Sequence, residues 1–120
     1  MNISEFKLFL AKSEFTPKEI LEILAKDEDS AVRASVAKNP KIPKEFLLLL
    51  SKNKNWDVRA YVAKNPRTSK KILKILAKDE SYSVRAAVAQ NSNISKEILE
   101  ILSKDKDSYV RAFVAQNIKS

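Results

Sequence analysis

The chain has 120 residues and a formal net charge of +8, with 23 Lys and Arg against 15 Asp and Glu. It contains no Cys, His or Gly, which excludes disulfides, thiolate and imidazole metal sites, Cys nucleophiles and glycine-rich phosphate loops. A single domain with a modest core is expected. No apolar run approaches the roughly 20 residues of a membrane span, and Met1–Lys7 mixes Glu and Lys into its apolar stretch, unlike a secretory signal. A soluble, cytoplasmic protein is expected.

In chain order, Ile3–Lys12 reads as a first helix without its second, and residues 1–15, with Phe6, Phe9 and Phe15, as an N-terminal capping helix of the kind repeat proteins need. From there the sequence is periodic. Val32-Arg33-Ala34-Ser35-Val36-Ala37-Lys38-Asn39 returns at Val58, Val84 and Val110, each time after 26 residues. A fixed period in this range marks a stack of units that bury apolar faces against their neighbours. The units are 16–41, 42–67, 68–93 and 94–120. Within the first, Thr16-Pro17-Lys18-Glu19 reads as a capping box with Pro at the first helical position. Ile20, Leu21, Ile23 and Leu24 then mark a helix over about 17–26. Their core rows are Ile20, Phe46, Ile72, Ile98; Leu21, Leu47, Leu73, Leu99; Ile23, Leu49, Ile75, Ile101; and Leu24, Leu50, Leu76, Leu102. Asp29, Asn55, Ser81 and Asp107 are N-caps of a second helix, whose valines and alanines form a narrow apolar face. Asn39, Asn65, Asn91 and Asn117 end it, as the non-Gly residue that best tolerates a left-handed conformation. Helices of about ten residues are unstable alone, so stacking must hold them. The periodicity leaves open whether one helix of each pair is a tight 3₁₀ segment. The chain stops at Asn117-Ile118-Lys119-Ser120 without an evident polar cap, which suggests a self-association surface or a truncated array.

Pro-Lys-Glu-x-Leu-x-x-Leu-Ala-Lys-Asp followed by Asp-x-x-Val-Arg-x-x-Val-Ala-x-Asn-Pro resembles the leucine-rich repeat variant family and, more broadly, HEAT-like α-solenoids, over about 16–117. The resemblance implies an all-α, right-handed α-solenoid of four 26-residue two-helix repeats without strands, serving as a binding scaffold. It implies no particular ligand. The Cys-rich iron–sulfur segment of some members has no counterpart here.

Two columns invite a structural reading. Arg33, Arg59, Arg85 and Arg111 each follow Asp27, Asn53, Asp79 or Asp105 by six residues. This resembles the Asp–Arg ladder of HEAT repeats, in which a carboxylate ties its own or the next unit. A phosphate-gripping row of Arg is the alternative. The Asn column reads the same way.

Function is expected where the units differ. Trp56, Tyr61, Tyr82, Tyr109 and Phe113 occupy variable columns of the second helices, and Lys52, Lys54, Lys64 and Arg67 flank the first two. Rings exposed in a stripe are typical interface anchors; packed flat, they would be satellite core, and Tyr109 and Phe113 could cap the end or join two copies. Leu48 stands where other units carry Glu22, Lys74 and Glu100, and so should be exposed. Residues 38–78 carry a net +10, against −2 for 1–37 and zero for 79–120, so the charge excess coincides with the only Trp. A protein partner is the first expectation. Nucleic acid bound through the basic block is the second, and self-association through the C-terminal end the third. No catalytic residue, metal or cofactor is assigned. Trp56, Asp57 and Arg59 match HEAT-like DNA glycosylases in residue type only, in a chain about half the length.

Overall fold

The computed structural model describes residues 1–119, which form nine α-helices and no strand. They are α1 (Ile3–Lys12), α2 (Lys18–Leu24), α3 (Ser30–Lys38), α4 (Lys44–Leu50), α5 (Trp56–Lys64), α6 (Lys70–Leu76), α7 (Tyr82–Ala89), α8 (Lys96–Ser103) and α9 (Ser108–Lys119). Ser120, the last residue of the fourth unit, lies outside the described residues. None of the helices is 3₁₀ and none is long and apolar enough to cross a membrane.

The odd-numbered helices pack in series, α1 on α3, α3 on α5, α5 on α7 and α7 on α9, and each even-numbered helix leans on its two sequence neighbours. The described chain measures 44 × 22 × 20 Å. Packing of α1 on α3 corrects the sequence reading of α1. It takes the place of a second helix, because Phe6, Lys7, Leu10 and Ala11 stand 26 residues before Val32, Arg33, Val36 and Ala37. Phe6, Phe9 and Phe15 do not cover the first unit; all three are exposed.

The first helices start one residue later than the capping-box reading placed them. Pro17 is the N-cap of α2, extended at φ −59° and ψ 148°, and its carbonyl accepts from the amides of Ile20 and Leu21. Thr16 is no cap. Its hydroxyl donates back to Leu10 O at 2.5 Å, as Thr68 does to Val62 O at 2.6 Å. Where Ser replaces Pro in later units, Ser69 and Ser95 accept from the amides of Ile72 and Ile98. At the other end Ala25 closes α2, and i→i+3 bonds from Lys26 and Asp27 tighten the exit before residue 26.

Three of the four apolar rows face the core. Leu21, Leu24, Phe46, Leu47, Leu50, Ile72, Leu73, Leu76, Ile98 and Leu102 are buried, and Ile20 and Leu99 partly so. The fourth row does so least: Ile23 is 65% exposed, Leu49 43% and Ile75 60%, and Ile101 is partly buried. Four apolar positions at i, i+1, i+3 and i+4 span about 160° of a helix, and the one at i+3 falls on the solvent edge of that arc. Leu48 is exposed, as its column suggested. In the second helices Val32, Val36, Val58, Val62, Val84, Val88 and Val110 are fully buried, and the intervening alanines let the helices approach closely.

Candidate functional site

The asparagine column carries the clearest inter-unit hydrogen bonding. Among the described residues none has a left-handed backbone: Asn39 sits at φ −64° and Asn65 at φ −69°. The left-handed reading is therefore wrong. Each Asn instead reaches back one unit. Asn39 Nδ2 donates to Ala11 O (2.7 Å) and Ser13 O (2.9 Å), and Asn65 Nδ2 to Ala37 O (2.8 Å) and Asn39 O (3.4 Å). Asn91 and Asn117 repeat this on Ala63, Asn65, Ala89 and Asn91. The Oδ1 atoms of Asn39, Asn65 and Asn91 accept from the amides of Lys41, Arg67 and Asn93 two residues on. Asn satisfies donor and acceptor roles at once, which Gly does not.

The arginine column is a ladder whose carboxylates come from twenty residues later. Arg59 forks onto Asp79 through Nε (2.8 Å) and Nη2 (3.1 Å), and Arg85 onto Asp105 through Nε (2.8 Å) and Nη2 (3.3 Å). Residues six back contribute their main chain: Nη1 of Arg33, Arg59, Arg85 and Arg111 donates to the carbonyls of Asp27, Asn53, Asp79 and Asp105. Lys7 opens the series on Asp27 at 2.9 Å. The Asp27 carboxyl is held below its ordinary range by Lys7 and by the Asp29 amide. Burial pushes the Asp105 carboxyl up, but the Arg85 fork and the Asp107 amide outweigh it, so the net shift is downward. Asp79 raises the already high affinity of Arg59 for its proton.

One rung is incomplete. Arg33 has Asn53 where the others have Asp, so its Nη2 donates to Asn55 Oδ1 (2.9 Å) and its Nε is buried with no acceptor. Asn53 Oδ1 is committed to the Asn55 amide at 3.1 Å, which leaves a donor amide as the group Asn53 has to offer. Among the described residues, Arg111 has its bond to the Asp105 carbonyl alone.

The aromatic residues separate into two groups. Trp56 and Tyr82 are the first residues of α5 and α7 and are 54% and 51% exposed. Tyr109, on α9, meets Tyr82 edge-on at 5.8 Å and Phe113 edge-on at 4.9 Å. Exposed Lys52 and Lys54 precede Trp56 in the α4–α5 turn. Tyr61 belongs elsewhere: five residues along a helix is about 140° round the axis from Trp56. It is half-buried, with Lys38 Nζ 4.5 Å and Lys64 Nζ 5.7 Å from its ring centre, in cation–π range. Arg67, beside this second group, donates from Nε to Ile42 O at 3.0 Å. So Trp56, Tyr82 and Tyr109 lie at the N-terminal ends of the odd helices. Phe113, two periods after Tyr61 and in its column, touches Tyr109 from one turn further along α9. Tyr61 and Lys64 lie toward the C-terminal end of α5, with Arg67 just beyond it.

The carboxylates that stand two residues apart, Asp27 with Asp29 and Asp105 with Asp107, are engaged locally: Asp27 Oδ1 and Asp105 Oδ1 accept from the amides of Asp29 and Asp107, and Asp29 and Asp107 cap the amides of Ala31 and Tyr109. Among the described residues no cluster of three or more metal-ligating side chains occurs. The sequence reading missed the exposed row of Ile23, Leu49 and Ile75, as well as the Lys7 rung. The second was visible in principle, since Lys7 stands one period before Arg33. Comparison with protein-family models, with characterised proteins and with solved structures finds no match.

Proposed function

We propose that the chain is a right-handed α-solenoid of four two-helix units capped by α1, a member of the leucine-rich repeat variant class, and that it acts as a non-enzymatic cytoplasmic scaffold for a protein partner. The observation that carries the binding role is the row of half-exposed rings, Trp56 and Tyr82 one period apart with Tyr109 seated against Tyr82. Aromatic anchors of this size contribute most where they become fully desolvated in a partner's pocket. Lys52 and Lys54 give the row a basic edge, which suits an acidic or mixed partner surface. Serial packing of the odd helices and the 26-residue recurrence of the Asn and Arg bonds support the solenoid.

The test is affinity capture from nuclease-treated extract with the wild-type protein and with Trp56→Ala/Tyr82→Ala, followed by binding of the purified partner at several salt concentrations. The scaffold reading expects a nuclease-resistant partner that the double variant loses at least tenfold, with a shallow dependence on salt. Equal retention by the variant removes the aromatic row. A partner that is nucleic acid, lost steeply as salt rises, replaces the reading with the basic-block one.

A further inference from the structure

The turn between α4 and α5 departs from the repeat where the ladder breaks. Corresponding turns read Lys26-Asp27-Glu28-Asp29, Lys78-Asp79-Glu80-Ser81 and Lys104-Asp105-Lys106-Asp107, all acidic in part, whereas Lys52-Asn53-Lys54-Asn55 has no acid. Each even helix leans chiefly on the odd helices beside it, and a groove of about 450 Å³ opens between the C-terminal ends of α2 and α4, lined among others by Lys26, Arg33, Leu49, Lys52, Asn53 and Lys54. Its one carboxylate, Asp27, is already held by Lys7 at 2.9 Å. The groove is therefore strongly positive, and at its wall lies a guanidinium with a buried, acceptorless Nε.

We infer that this groove is a carboxylate-binding site, with the Arg33 fork as its centre, that takes an Asp or Glu side chain of an acidic peptide. The chain supplies the geometry of the occupied state twice. Asp79 on Arg59 and Asp105 on Arg85 each place one oxygen on Nε at 2.8 Å and the other on Nη2. A carboxylate from outside makes the same pair on Arg33. It displaces the Asn53 side chain, which holds the rung position of Asp79 and Asp105, from beside Nε and the neutral Asn55 carboxamide from Nη2, and a charged acceptor forms the stronger bond to a guanidinium. Lys52 and Lys54, both exposed, stand at the entrance, and Leu49, 43% exposed, offers apolar contact to the residue beside the acid. Planar, two-pronged donors match a carboxylate more closely than a point charge does. The site stands on the ladder and not on the aromatic row, so it survives if that row proves to be bare surface.

The experiment is a titration of ¹⁵N-labelled protein, with the Nε–H signals of Arg33, Arg59 and Arg85 assigned. The probe is an acetylated, amidated hexapeptide alternating Asp and Leu, at physiological salt; inorganic phosphate is titrated separately. The expected result is a saturable shift of the Arg33 Nε–H signal with the peptide, while Arg59 and Arg85 stay still. Asn53→Asp supplies the missing carboxylate from within. It should fold with raised stability, fix the Arg33 signal at its bound position and weaken the peptide at least tenfold. Trp56→Ala should leave the Arg33 response unchanged, which separates this site from the aromatic row. An unmoved Arg33 signal overturns the inference, and so does equal peptide affinity in Asn53→Asp. Phosphate shifting Arg33 at lower concentration than the peptide overturns the carboxylate assignment and favours a phosphorylated ligand.

Discussion

Replacing Asn65 tests most directly how the units are held together. Asn65 is 4% exposed; it donates to Ala37 O at 2.8 Å and Asn39 O at 3.4 Å and accepts from the Arg67 amide at 2.9 Å. Two of these bonds are well made and the third is marginal. Asn65→Ala removes all three and leaves the Ala37 carbonyl and the Arg67 amide without the Asn65 side chain, while the Asn39 carbonyl keeps the Ile42 amide. At about 1 kcal/mol per bond, with a further contribution for the stranded groups, the loss should be about 2–3 kcal/mol. For a chain of this length that lowers Tm by roughly 6–12 °C. Urea unfolding followed by helical circular dichroism gives the number. Asn65→Gly separates this mechanism from helix capping. A left-handed cap would make Gly as good as Asn or better. With φ at −69°, Gly gains nothing and adds about 0.5–1 kcal/mol of unfolded-state entropy, so it should fall below Ala. A Gly variant as stable as wild type, or an Ala variant within 0.5 kcal/mol of it, would refute the account. Asn117→Ala should cost less than Asn65→Ala, because Asn117 is only partly buried and water can reach the carbonyls it leaves.

Other substitutions probe the rest of the architecture. Ile75→Ser should change stability by no more than about 0.5 kcal/mol, since Ile75 is 60% exposed. Leu76→Ala, one residue on and 2% exposed, should cost about 2–5 kcal/mol in the same urea assay. Arg59→Met strands the Asp79 carboxylate, whose side chain is 10% exposed, and should cost about 3 kcal/mol or more. Arg59→Met with Asp79→Leu should recover much of that, as a double-mutant cycle would measure. Because the folded-state carboxyl of Asp105 is depressed below its ordinary 3.8, its contribution is complete above that value and is lost as pH falls through the depressed one. Stability against pH should therefore drop in acid below about pH 4, and Asp105→Asn should flatten part of the drop.

The helices were legible in the sequence because their determinants are local and repeated. Asp29 and Asp107 accept cap bonds where the columns placed them, whereas Asn55 and Ser81 hold the N-cap position without a side-chain bond, and the buried valines recur at their 26-residue interval. What failed, or stayed open, depended on the neighbouring unit. Asn at a helix end has a common local use, the left-handed turn, and nothing within one unit reveals that its amide reaches the carbonyls of the unit before. Asp six residues before an Arg left open whether a carboxylate ties its own unit or a neighbouring one; the partner stands twenty residues later because the neighbour's turn, not the unit's own, presents its carboxylate to the guanidinium. The row of Ile23, Leu49 and Ile75 looked like core because four apolar columns fit one face. A seven-residue helix lying on two others buries a narrower arc than that.

The aromatic stripe divided for a related reason. Columns of an alignment lie side by side on a page, but five residues along α5 turn the chain to another face, so Trp56 and Tyr61 cannot serve one surface by virtue of being variable in the same helix. Variability had more to say when read across a single turn. Asn53, Lys54, Asn55 and Trp56 replace Asp or Glu or a smaller residue in several other units within four consecutive positions. A stack gains nothing from that: the Arg33 Nε loses its acceptor, and a neutral rung takes the place of a charged one. Completing the rung needs one side-chain change, Asn53→Asp, at a position where two other units already carry the acid twenty residues after their Arg. A repeat array that leaves so simple a completion unmade, beside two lysines and its only Trp, concentrates its departures from regularity at one turn. That turn is where stability is given up locally, and the Asn53→Asp variant measures how much by the amount it gains.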